Sequence, residues 1–149
     1  MTIRPAIPAD QAYVASTWTT SIVRWDKPRK FESHVQEKKW RRESKEMTVL
    51  VDRILDHPTT RVLVAVDDRE NIDGWLCYSV LDRLHVVHYA YVRKHRRHHG
   101  IMRSLAKHAG LTPKGDLVYT FEGPTTAALR TNILAHAAHI PPTKFLEAK

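Results

Sequence analysis

Between Leu84 and Gly110 the chain reads LHVVHYAYVRKHRRHHGIMRSLAKHAG. An apolar, β-branched run ends at Val92, a basic turn follows, and Gly100 opens a helical pattern. A strand that delivers free backbone N–H groups to a helix N-terminus is an anion-binding device, and the surrounding Arg, Lys and His residues select phosphate. A phosphate-bearing cofactor or substrate is therefore the first ligand this pattern predicts. Gly100 lacks a Cβ and admits close approach of the backbone. Arg97 and Arg103 add charge-assisted bonds, and Ser104 offers a hydroxyl.

Other reactive side chains carry less. His95, His98 and His99 crowd the turn, but no Cys, no carboxylate and no second ligand pair at zinc spacing accompanies them, so no metal is expected. Cys77 alternates with Trp75 and Ser79 along an apolar strand and reads as a small core residue. Lys38, Lys39, Arg41 and Arg42 surround Trp40, and cations interleaved with an aromatic can hold phosphate and stack a base. Glu37 and Glu43 flank that run, and no helix-turn-helix, RNP-like or zinc-finger signature accompanies it.

The elements that must position these groups follow from hydrophobic periodicity. Thr2–Ala6 reads as a strand, and Pro8-Ala9-Asp10 opens a helix with Asp10 as N-cap and Val14, Trp18 and Ile22 as its apolar stripe. Residues 24–46 are charged, with Phe31, Val35 and Trp40 as sparse anchors, and read as a solvated loop with some helix, an insertion or lid. Met47, Leu50, Val51, Ile54 and Leu55 mark an amphipathic helix ended by His57-Pro58. Arg61–Asp67 and Gly74–Leu81 form a hairpin, Leu84–Val92 is the next strand, and Gly100–His108 is helical with Gly110 as C-cap. Asp116–Phe121 is a strand, a last helix runs from Gly123-Pro124-Thr125 to about Ala138, and Lys144–Leu146 adds a short strand. The order makes an α/β single domain over 1–149.

This order and three segments resemble the GNAT superfamily of acyl-CoA-dependent N-acyltransferases. IRPAIPADQ (Ile3–Gln11) is similar to that family's first strand and helix start. VLVAVDDRENIDGWLCY (Val62–Tyr78) looks like its second and third strands, with a Gly beginning the return. YVRKHRRHHGIMRSL (Tyr91–Leu105) looks like its cofactor motif, an Arg or Gln, two residues, Gly, one residue, then Gly or Ala, met here by Arg97-His98-His99-Gly100-Ile101-Met102. The likeness covers residues 2–23 and 61–139. Met102 departs from the small residue of the motif, and the C-terminus is shorter than the family's.

The resemblance implies a GNAT-like fold, a mixed, mostly antiparallel sheet flanked by helices, with acetyl-CoA or another acyl-CoA as cofactor. The diphosphate would accept N–H bonds from His99, Gly100, Ile101, Met102 and Arg103, with Arg97, His98 and Ser104 beside it. The backbone of Tyr91 and Val92 would pair with the pantetheine arm, and Asn132 completes the cofactor set. His88, four residues before Val92 and read as sharing its face, stands where relatives carry a carboxylate base. An imidazole with a pKa near neutrality suits that work. His85 falls on the opposite face. His139, seven residues after Asn132, occupies the position of a thiolate-protonating Tyr, with Tyr119 as fallback donor.

Composition bounds the function classes. The 149 residues carry a net charge of +8, ten histidines and one cysteine. That excess favours anionic partners and modestly disfavours polycationic acceptors. The longest aliphatic run, Val62–Val66, is far short of a membrane span. A lone cysteine and an opening segment without an apolar core suggest a cytoplasmic protein. The leading function is transfer of an acyl group from acyl-CoA to an amine acceptor in a ternary complex. Two others stay open: a basic nucleic-acid-directed protein on the same scaffold, and a degenerate GNAT-like interaction protein.

Overall fold

The computed structural model describes residues 1–25, 27–112, 115–123, 129, 134 and 137–147. Among them, six strands form one sheet in the order β1-β2-β3-β4-β5-β6. They are β1 (Thr2–Pro5), β2 (Thr60–Val66), β3 (Ile72–Leu81), β4 (Leu84–Val92), β5 (Leu117–Tyr119) and β6 (Ala138–His139). The first three junctions are antiparallel and the last two parallel. Short turns join β2 to β3 and β3 to β4, while α1 and α2 lie in the long connection between β1 and β2. The parallel β4–β5 pair requires a crossover, supplied by helix α3 (Ile101–His108).

Two apolar cores sandwich the sheet. On one face, α1 (Gln11–Trp25), α2 (His34–Leu55) and α4 (Pro142–Glu147) bring Val14, Trp18, Val51, Ile54 and Phe145 against Val64, Trp75, Cys77, Val86 and Tyr89. On the other, Ile101, Leu105 and Ala106 of α3 pack on Ala65, Leu76, Val87 and Ala90. Trp18 is the hub of the first core. Its ring centroid lies 5.6 Å from those of Trp75 and Tyr89 and 5.1 Å from that of Phe121. Thr17 Oγ1 accepts Trp75 Nε1–H at 2.9 Å, and Ser21 and Tyr89 hydroxyls bond at 2.8 Å. One face of α1 thus fixes β3 and β4 together.

Three local expectations are corrected. Asp10 does not cap α1: a 3-10 turn over Pro8–Asp10 intervenes, and the Asp10 carboxylate turns back to accept from Ile7 N–H at 2.8 Å and from Arg4 Nη1 at 2.7 Å. Arg4 in turn holds the Asp10 carboxyl below the ordinary carboxylate range.

Residues 34–46 are helix throughout rather than a loop with some helix. They form the first half of α2, a single 22-residue helix continuous with the predicted amphipathic segment. Ser33 Oγ caps it by accepting Gln36 N–H at 3.1 Å. Arg41 pairs with Glu37 at 2.9 Å and Lys39 with Glu43 at 4.0 Å, the i,i+4 spacing that supports an exposed helix with few apolar anchors.

At the C-terminal end, Ala138–His139 is a strand parallel to β5 rather than the tail of a helix, and Pro142–Glu147 is helical where a strand was expected. Phe145 explains the second, since a one-sided anchor suits a short helix lying on a core. Most of the expected last helix lies outside the described residues.

Candidate active site

The site is the region where β4 and β5 part. Their ladder pairs His85 with Leu117, Val86 with Val118 and Val87 with Tyr119, and closes with Thr120 N–H on Val87 C=O at 3.1 Å. No described strand pairs with Tyr89–Val92 on that side. On the other side β3 continues to Val92, with Arg93 N–H on Asp73 C=O at 2.8 Å. Antiparallel pairing alternates the direction of successive peptide groups. Those of Tyr89 and Tyr91 therefore face β3, while those of Ala90 and Val92 face the open edge. Val92 C=O duly accepts from outside the ladder, from Arg97 Nε at 3.0 Å. Of the two backbone positions expected to meet the pantetheine arm, Val92 thus faces the open edge and Tyr91 faces β3, with Ala90 also on the open edge. The Tyr91 ring stacks toward Trp75 at 6.2 Å.

Beyond Val92 the chain makes a 3-10 turn over Lys94–Arg96 and enters α3 at Gly100, its N-cap. His98 and Gly100 both have positive φ, 67° and 77°. This left-handed region favours glycine and tolerates His only at some cost. The peptide N–H groups of residues 98–103 have no acceptor among the described residues, and the helix ladder starts with Ser104 N–H on Gly100 C=O at 3.0 Å. Six N–H donors without a described acceptor at a helix N-terminus, among exposed Arg97, His98, His99 and Arg103, make a cationic cradle suited to an anion.

Gly74 lets the cradle sit close to the sheet. A Cβ there would lie 2.9 Å from Tyr91 O and 3.1 Å from Ile101 Cγ2. Ile101 is buried on the sheet, and Met102 packs half-buried against the α3-side core. The large residue in the motif's small position therefore directs its bulk inward.

His88 is the principal correction among the side chains. The β3–β4 register slips between Cys77/Tyr89 and Tyr78/Val87, so His88 is the extra residue of a β-bulge. A bulge reverses the alternation of facing. Val92 consequently packs on the α3 side, whereas His88 points to the α1–α2 side, where the edge of its ring meets Phe145 at 4.6 Å. His85 is the histidine on the α3 side, near Gly110.

His88 is 1% exposed, and both ring nitrogens are engaged, Nε2 with Ser79 Oγ and Nδ1 with Thr120 Oγ1, each at 2.8 Å. A base must reach the proton it removes, and this imidazole has no free nitrogen and no open path. Burial, reinforced by nearby His57, pushes its pKa down to about 3. What it does instead is join β3, the bulge and β5 at the vertex of the parting strands.

His139 and Tyr119 lie together on the neighbouring edge, ring centroids 5.1 Å apart. His139 Nε2–H donates to Thr120 C=O at 3.0 Å, and the Tyr119 hydroxyl donates to Glu122 Oε1 at 3.3 Å. Asn132 lies outside the described residues.

Sequence reasoning missed Ala90, Ser79, Thr120 and Asp73. Only Asp73 left a signal, a carboxylate within the apolar stretch IDGWLCYSV.

A consequence of the buried imidazole is testable. Unfolded His88 titrates near its free value of about 6.5, while the folded group resists protonation until about pH 3. Below pH 6.5 the unfolded chain binds the extra proton, so stability falls as pH drops through that window. Comparing melting temperatures from pH 7 to pH 4, His88→Gln should lose less than the native protein. Equal slopes would contradict the assignment.

Comparison of the sequence with family models and with curated proteins finds no match. Comparison of structures does. An acetyltransferase-assigned protein from Pyrococcus furiosus superposes with TM-score 0.57 at 16% identity, over 87% of this chain and 89% of that one. The histone acetyltransferase HPA2 and related acetyltransferase from Corynebacterium glutamicum gives 0.55 at 16%, over 87% and 81%. The ribosomal-protein-alanine N-acetyltransferase from Brucella melitensis gives 0.53 at 16%, over 82% and 81%. The chain has the GNAT fold. In this GNAT-fold protein the mixed sheet and the glycine-capped third helix agree with the expectation from sequence, whereas the bulge in the fourth strand does not.

Proposed function

We propose that the protein is an N-acyltransferase that moves an acetyl or similar acyl group from acyl-CoA to an amine by direct attack in a ternary complex. One observation carries this reading: six consecutive N–H groups, residues 98–103, have no acceptor among the described residues and stand beside the open edge of β4. Acyl-CoA matches both features at once, with a diphosphate for the cradle and an amide-bearing arm for a strand edge. The acetyltransferases that share the fold agree with the reading.

In this role the N–H groups of residues 98–103, with Arg97 and Arg103, hold the diphosphate, and the edge-facing peptide groups of Ala90 and the N–H of Val92 orient the pantetheine arm. Bound acyl-CoA supplies an activated thioester. A fixed backbone N–H near the bulge stabilises the negative charge that develops on the carbonyl oxygen. Holding both reactants in place converts a bimolecular encounter into a local one. His139, exposed on the facing edge, protonates the departing thiolate, with the buried Tyr119 as fallback donor. With His88 enclosed, the acceptor amine loses its proton to water or arrives neutral.

Among the described residues no helix is long and apolar enough to cross a membrane. The buried free thiol of Cys77 suits a reducing compartment such as the cytoplasm.

The test is thiol release from acetyl-CoA, followed with a thiol reagent across a panel of amines, peptides and aminoglycosides. The reading expects acceptor-dependent release. Calorimetric binding of acetyl-CoA with no release on any acceptor would make the protein a binding scaffold, and no binding would remove the reading altogether.

A further inference from the structure

Asp73 is a carboxylate at the start of β3 whose side chain is only 4% exposed. Burying such a group is costly unless it is paired, and its pairing is particular. Arg96 Nε lies 3.4 Å from Oδ2 and Arg93 Nη1 lies 4.0 Å from Oδ1. Oδ2 and Arg96 Nε are both buried without an aligned hydrogen bond, so the attraction is an ion pair with no directional lock. Asp73 C=O accepts Arg93 N–H as well, and the next residue, Gly74, seats Val92 and Ile101. Two adjacent residues of β3 thus grip both ends of the segment that carries the free N–H groups. The Tyr13 hydroxyl lies in the same electrostatic cluster. Burial above all raises its pKa, Tyr91 and Asp73 add to the rise, and Arg93 opposes it.

We propose that Asp73 is a positioning residue for the anion-binding turn. It holds Arg93 and Arg96 down on the sheet, on the α1 side, so that residues 98–103 present their N–H groups already converged. This inference rests on the cofactor reading above and deepens it. The carboxylate's own charge disfavours an anion nearby, but two guanidiniums outweigh one carboxylate and the turn stays cationic. Preorganisation then decides the sign, because a turn that must be ordered on binding loses affinity by that ordering.

The experiment is a double-mutant cycle in the intact protein, using Asp73→Asn and Arg96→Gln with CoA and inorganic pyrophosphate as calorimetric probes. Asp73→Asn should weaken both ligands about tenfold. Arg96→Gln should do the same, and the double variant should lose little more than either single one, the signature of residues acting through each other. Where turnover is measurable, KM for acetyl-CoA should rise while kcat changes little. A folded Asp73→Asn that binds CoA within twofold of the native protein overturns the inference. So do losses that multiply, which would mean independent roles. If Asp73→Asn fails to fold, the amide exchange of residues 98–103 in Arg96→Gln decides: faster exchange supports the inference and unchanged exchange overturns it. Failure of the native protein to bind either probe removes the cofactor reading itself, a result distinct from all of these.

Discussion

Gly100→Glu is expected to weaken CoA binding by more than a hundredfold while leaving the protein folded. Two effects add. A residue with a Cβ held at φ 77° costs about 1–2 kcal/mol. A carboxylate placed about 4 Å from a bound phosphate adds about 4 kcal/mol of repulsion at an effective dielectric near 20. Gly100→Ala separates them. No atom lies within 4 Å of the position a Cβ would take, so alanine brings the backbone strain alone and its loss should stay within about thirtyfold. Calorimetry with CoA, beside melting curves for both variants, checks the difference. Equal losses in the two variants would mean that this position does not face a phosphate.

The largest effect on stability is expected at Trp18. Its ring is wholly buried and touches one aromatic each from β3, from β4 and from the segment after β5. Trp18→Ala removes that hub, and replacing a buried Trp with Ala costs about 3–5 kcal/mol. For a chain of this size that lowers the melting temperature by about 10 °C. The indole Nε1 is buried without a hydrogen-bond partner, which offsets part of the loss, because deleting it restores one unsatisfied donor to no penalty. Trp18→Phe, which keeps the stacking on Tyr89 and drops that N–H, should fall much less. Differential scanning calorimetry distinguishes the two, and a small change in Trp18→Ala would contradict the view that α1 is pinned to the sheet through this ring. Because Tyr89 belongs to the open half of β4, the same variant should also weaken CoA binding.

What could be read from the chain follows physical lines. The β4–turn–α3 passage was legible because three signals coincide there: a β-branched run, a glycine, and an apolar repeat of helical period. The bulge at His88 was not. Strict alternation is the only rule a lone strand offers, and the extra residue reveals itself only when β3 is laid against it. Every inference about facing that crossed His88 therefore inverted, which exchanged the expected places of His88 and His85. The helix over residues 34–46 was hidden for another reason. Its stability comes from the Ser33 cap and surface ion pairs rather than from a continuous apolar stripe. Asp73 was visible as an anomaly in its strand, but its partners are twenty residues further along and meet it only after β3 and β4 pair.

The claim on which the account depends is that the peptide N–H groups of His98 to Arg103 receive a diphosphate. Titrating the 15N-labelled protein with CoA and following the backbone amides tests it directly. The account predicts that the amides of residues 98–103 shift downfield first and furthest, with Ala90 and Val92 following, and that inorganic pyrophosphate moves the first group but not the second. Saturating CoA that leaves the amides of residues 98–103 where they were would contradict it.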